Sequence, residues 1–229
     1  MTDKQKAQRE KLFIEHKDLI SVSQNHSSRI PICFLIDCYD SGNLNLSDIR
    51  EQLDRLSEYI TRRPDLNSSV ESLAIGYSNK PKILWEFQDF PWKDSVDLKK
   101  QTVESVDIYS AMRLACDKIR RQKWIYKNQG ISFCTPSVFL FSTGNHEADT
   151  DPLKTLCRDY LRRGVLAIYP ITRSKDCLFE EISSNRRVYS LETGSIPEIF
   201  AQIKNGMDRM SSSSGSYFRR LMDAAEDWM

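Results

Sequence analysis

No apolar run in this chain approaches the roughly 20 residues that span a bilayer. The start, MTDKQKAQREKLF, is charged and has no apolar signal-peptide core. The sequence therefore predicts a cytoplasmic protein without membrane contact. Histidines number only three, and the six cysteines (Cys33, Cys38, Cys116, Cys134, Cys157 and Cys177) form no C-x-x-C pair. That scarcity argues against structural zinc and for reduced, packed thiols. Glycine is also sparse at 8 residues, with no G-x-x-x-x-G-K and no G-x-S-x-G. A phosphate cradle and a serine-hydrolase elbow are excluded on that ground. Charge of one sign is missing too: the net is +1, so the whole molecule has no pull toward nucleic acid or an anionic surface.

What is present is a core. Of 229 residues, 40% are hydrophobic and 28% charged, a globular balance for one domain with extensions. Residues 1–28 read as an N-terminal helical arm and a Ser/Asn/His-rich connector, and 29–210 as the domain. Residues 211–229 read as a Ser-rich linker and a helical tail. IPICFLID (30–37) is a continuous apolar run of strand length, the pattern of a strand buried on both faces. LSDIREQLDRLSEYITRR sets Ile49, Leu53, Leu56 and Ile60 at helical spacing, with Ser47 as expected cap and Pro64 as stop. Residues 69–79 and 82–90 form an expected hairpin around Asn79-Lys80-Pro81. A second helix is expected from about Ser105, then a strand at 137–144, a helix at 151–164 and a strand at 165–171. A short helix at 177–185, a strand at 186–192 and an amphipathic helix at 196–210 complete the order. Alternating strands and helices predict an α/β domain with a mostly parallel sheet.

Ligands of such sheets bind beyond the carboxyl ends of the strands. Three segments should meet there: Asp37-Cys38-Tyr39-Asp40-Ser41-Gly42, Ser105-Val106-Asp107 and Ser142-Thr143-Gly144-Asn145. Their order resembles the von Willebrand factor A (vWA) domain, in which a strand ends D-x-S-x-S-G and a later one T-D-G. The segment DKIRRQKWIYKNQGISFCTPSVFLFSTG (117–144) resembles the bacterial intracellular TerY-like (tellurium-resistance-associated) branch. The resemblance implies a three-layer αβα Rossmann-like sandwich with one antiparallel edge strand. It also implies a Mg²⁺-binding adhesion site made by two serines, a threonine and two aspartates.

Here the pattern departs from the family. Asp37 and Ser41 match, but Tyr39 stands for the first serine, Val106 for the threonine and Thr143 for the second aspartate. Valine supplies no ligand, and a tyrosine is too bulky for near-octahedral coordination at about 2.0–2.1 Å. The expectation is a degenerate metal site, with Asp37 and Ser41 its remnant, and no cofactor. The protein is then a non-catalytic interaction module. Its expected partner-facing residues are Asp37, Tyr39, Asp40, Ser41, Asp107, Thr143, Asn145 and His146. By resemblance, the partner is a kinase, a phosphatase or another component of a bacterial stress-response or defence system.

Other constellations compete. Asp40, His146, Glu147 and Asp149 can be drawn as a shifted metal site, the basis of a hydrolase reading, against solvated turn residues. A Cys38/His146/Asp149 triad can be drawn, against a core cysteine. Glu180 and Glu181 are adjacent on a helix and read as surface charge. Lys118, Arg120, Arg121 and Lys123, with Trp124 and Tyr126, suggest nucleic acid or an acidic partner, against a solvated helix face. Both tails carry unplaced apolar residues, Leu12, Phe13, Leu19 and Ile20 at the start and Phe218, Leu221, Met222 and Trp228 at the end. They read as mutual packing or a partner-binding helix.

Overall fold

A computed structural model describes residues 28–40, 44–88, 98–103, 105–146, 149–191 and 195–212. The expected arm and tail, Ser41 and Glu147 lie outside the described residues. Six strands form one sheet in the order β3-β2-β1-β4-β5-β6. They are β1 (Ile30–Asp37), β2 (Val70–Tyr77), β3 (Pro81–Gln88), β4 (Ser137–Ser142), β5 (Ala167–Thr172) and β6 (Tyr189–Ser190). Among the described residues, only the β2–β3 pairing is antiparallel. The helices are α1 (Leu46–Thr61), α2 (Pro64–Asn67), α3 (Ile108–Asn128), α4 (Asp151–Arg162), α5 (Cys177–Glu181) and α6 (Ile196–Ser212).

Strand pleating divides the core into two layers, because successive side chains point to opposite faces. Ile30, Ile32, Phe34 and Ile36 of β1 face α1 and α6. Cys33 and Leu35 face α3, α4 and α5 with Leu140 and Ile168. A continuous apolar strand is what two covered faces require. Phe200 of α6 stacks on Phe34 at 6.2 Å and on Phe141 at 5.8 Å. These contacts fix α6 across the middle of the sheet. The result is the expected three-layer αβα sandwich with an antiparallel edge strand.

Element ends depart from the sequence reading where a local hydrogen bond outweighs the pattern. Asn45, not Ser47, caps α1: its side chain accepts from the Ser47 N–H at 3.2 Å. The helix begins early enough to bury Leu46. Pro64 does more than stop α1, since it opens α2 from the first turn, where its missing N–H costs nothing. Helix α3 starts at Ile108, because the Asp107 carboxylate accepts from the Ser110 N–H at 2.7 Å. The expected last strand shrinks to Tyr189–Ser190.

Candidate functional site

The carboxyl ends of β1, β2, β4 and β5 form one edge, and β1 delivers Asp37 there. Its side chain is fully buried at 0% exposure. One carboxylate oxygen accepts from the Tyr39 N–H at 2.9 Å. The other accepts from the Thr143 N–H at 3.0 Å and from the Thr143 hydroxyl at 2.5 Å. Burial pushes the Asp37 pKa up from 3.8, opposed by the Thr143 hydroxyl, the Thr143 N–H and the Tyr39 N–H. Thr143 is itself 4% exposed. Asp37 and Thr143 therefore form the floor of the edge and present little side chain to solvent.

The loop after β1 is pinned by a polar segment that carries no apolar pattern. The Gln101 N–H donates to the Cys38 carbonyl at 2.7 Å, and the Asp40 N–H to the Gln101 carbonyl at 3.1 Å. This short parallel bridge joins Tyr39 to Gln101. Lys100 pairs with Asp40 at 2.9 Å. The Ser78 hydroxyl donates to Gln101 Oε1, and the Asp107 N–H donates to the Ser78 carbonyl at 2.7 Å. Tyr39 is half-buried, its ring packed against the α3-side layer. Val106 is buried in that layer. Asp107 serves as the α3 cap.

The loop after β4 turns at Gly144, whose φ of +93° disfavours a side chain. A Cβ there would lie 2.7 Å from the Ser174 Cβ, so this turn and the loop after β5 are in contact. Asn145 is exposed and His146 half-buried. His146 Nε2 lies 2.7 Å from the Asp176 carboxylate, and its ring meets Phe179 edge-on at 6.3 Å. The Leu178 N–H and His146 hold the Asp176 carboxyl below its usual range. Asp176 escapes the sequence reading, which takes the ends of β1 and β4 and the start of α3 and leaves out the loop after β5. The signal was available: Asp176 precedes a short helix and caps it through Leu178 at 2.8 Å.

The imagined triad does not assemble. Cys38 packs in the α1/α6 layer, its thiol 3.5 Å from the Ile36 carbonyl. His146 lies against Phe179, which belongs to the opposite layer. Burial pushes the Cys38 thiol up to about 11, away from a nucleophilic thiolate. The shifted metal set is likewise dispersed. Asp40 meets Lys100, His146 meets Asp176, and Asp149 accepts from the Asp151 N–H at 3.1 Å. Among the described residues, no group of three or more His, Cys, Asp and Glu side chains is placed to hold a metal ion. Glu181 pairs with Lys154 at 3.2 Å. On the basic run, Lys118 pairs with Glu86 and Arg120 with Asp117, while Tyr126 is buried.

This sheet order and its carboxyl-edge loops define a vWA-like α/β fold. No family model and no curated protein matches the sequence. Solved structures do. The chain is similar to a von Willebrand factor type A protein from Catenulispora acidiphila, with 11% identity and a TM-score of 0.52 over 81% of this chain and 42% of that one. It is also similar to proximal thread matrix protein 1 from the mussel byssus, solved with a zinc-occupied MIDAS motif, the family's metal-ion-dependent adhesion site. There the identity is 13% and the TM-score 0.51, over 77% of this chain and 45% of that one. A match to the ArnB paralog VWA2 from Sulfolobus acidocaldarius has 16% identity and a TM-score of 0.49, over 76% and 44%. The chain thus spans under half the length of each of these structures, and what the likeness shows is the fold.

Proposed function

We propose that this chain is a non-catalytic protein-interaction module whose carboxyl-edge loops bind a partner without a bridging Mg²⁺. The observation that carries this reading is the Asp37 carboxylate, already taken by three protein donors from Thr143 and Tyr39. A metal-linked aspartate needs lone pairs directed at the ion or its water shell. Val106 offers an apolar, buried side chain where the family supplies a hydroxyl. The described donors therefore do not fit a Mg²⁺ ion, and no step is routed through one. With Asp37, Thr143 and Asp107 committed internally, the groups offered to a partner are Tyr39, Asp40, Asn145 and His146. Tyr39 is the anchor of this set, a half-buried aromatic on a loop pinned from both sides. By its resemblance to TerY-like proteins, the proposed partner is a kinase, a phosphatase or a similar component of a bacterial intracellular stress-response or defence assembly.

Calorimetric titration with Mg²⁺, Mn²⁺ and Zn²⁺ tests the metal half of the proposal. The expected outcome is no stoichiometric binding at sub-millimolar concentration, and such binding lost in Asp37→Asn would overturn it. The partner half is read by affinity capture from the native cell with the parent chain and Tyr39→Ser. Loss of the same specific protein in Tyr39→Ser is expected, whereas an unchanged set moves the interface off this edge.

A further inference from the structure

A concave surface lies at the other end of the sheet. Helix α3 starts at the carboxyl edge and runs to the amino edge, where Ser132, just beyond it, accepts from the Arg29 N–H at 2.8 Å. Helix α4 runs the same way and hands the chain to Val165 and β5. Between their last turns is a groove of about 430 Å³ lined by Ile119, Trp124, Leu156, Tyr160 and Val165, with charged groups around them. That volume falls within the range of small-ligand and anchor-residue pockets, about 300–1,000 Å³. The rim carries Arg120, Lys123, Lys127 and Arg163 against one acid, Asp159. Among the described residues, the Lys127 and Arg163 side chains have no ion-pair partner. The Lys123 ammonium is fixed by the Val165 carbonyl at 3.0 Å and lies 5.7 Å from the Phe133 ring centre.

We propose that this groove binds an acidic peptide segment of a protein partner, with one aromatic side chain of the peptide seated between Trp124 and Tyr160 and its carboxylates on the cationic rim. The apolar floor sets the anchor, and the rim sets the sign of the flanking charge. A single-stranded nucleic acid would also stack on Trp124 and meet cations, but it needs a basic track several nucleotides long. Here Lys118 is outside the groove lining and paired with Glu86 of β3, and Arg120 is paired with Asp117. The chain as a whole carries only +1. Four cations gathered on the rim of one pocket suit a short acidic motif.

The site is independent of the carboxyl-edge reading, so the two fail separately. The test is fluorescence anisotropy of the full chain with a labelled peptide in which one Trp is flanked on each side by two Glu. The same peptide with Lys for Glu and an oligothymidylate strand serve as comparison probes. The acidic peptide is expected to bind, and Lys127→Glu/Arg163→Glu to weaken it about tenfold with unchanged melting, since both side chains are exposed. Asp159→Asn is expected to tighten it, a gain that a merely damaged groove would not produce. Tyr39→Ser should leave binding unchanged. Equal binding of the Lys peptide, indifference to the double charge reversal, or tighter binding of oligothymidylate would each overturn the proposal.

Discussion

Thr143 shows how one side chain changes what an aspartate can do. Its hydroxyl and N–H both point at Asp37, so the buried carboxylate is solvated by protein. Burial still wins, and the Asp37 pKa lies above 3.8. The sign follows: a carboxyl that holds its proton more tightly when folded stabilises the fold below 3.8. That contribution is lost as pH rises through the folded value. Thr143→Val removes the strongest opposing hydrogen bond, so the Asp37 pKa should rise further in a carboxyl-carbon NMR titration. Stability at neutral pH should fall by about 1–3 kcal/mol in urea denaturation. The loss should shrink in acid, where Asp37 is protonated. Sequence reading recognised Asp37, Tyr39, Val106 and Thr143 as one constellation. It could not foresee that Thr143 would turn its hydroxyl inward, because a threonine in a turn reads the same in either rotamer.

At the scale of elements, α6 depends on both apolar and polar contacts. Phe200 provides the first. The second is a cluster in which the Tyr59 hydroxyl donates to Asp208 at 2.7 Å and Arg63 pairs with Asp208 at 3.2 Å and with Asp65 at 2.9 Å. Burial and Asp208 push the Tyr59 hydroxyl up to about 12, and Arg63, with the Ser211 hydroxyl of α6 donating at 2.7 Å, pulls Asp65 down to about 2. A depressed carboxylate contributes above its ordinary value and loses that contribution as pH falls. Hydrogen exchange in the last turn of α6 should therefore accelerate first between pH 3.8 and about 2. Asp208→Asn should lower the Tyr59 pKa in an ultraviolet tyrosinate titration. The elements themselves were legible where pattern was strong: β1 from its unbroken apolar run, α1 from Ile49, Leu53, Leu56 and Ile60. The bridge at Gln101 was not, because a polar segment that completes a loop by backbone bonds leaves no side-chain pattern.

Across the whole molecule, the amino edge carries its own buried charge pair. Arg29 and Glu71 lie 3.2 Å apart with side chains 1% and 3% exposed. Arg29 also donates to the Ser68 carbonyl at 2.6 Å, and Glu71 accepts from Gln122 at 2.8 Å and from the Tyr126 hydroxyl. The network ties β1, β2 and α3 together. Arg29→Met strands the Glu71 carboxylate in the core and should cost about 3–5 kcal/mol in chemical denaturation. Arg29→Met with Glu71→Met should cost less than the sum of the two single changes, because no charge is left alone.

Arg29 and Asp37 bracket β1, the central strand that pairs with both β2 and β4. Because β1 is apolar on both faces, sliding it past its neighbours would leave every side chain in a greasy environment. Hydrophobic pattern alone therefore cannot choose its register. The flanking charges can. A slip of even one residue, about 3.3 Å, would pull Arg29 from Glu71 and Asp37 from Thr143 at the same time. The two buried charges act as end stops that fix how the strands align, whatever else the two edges of the sheet bind.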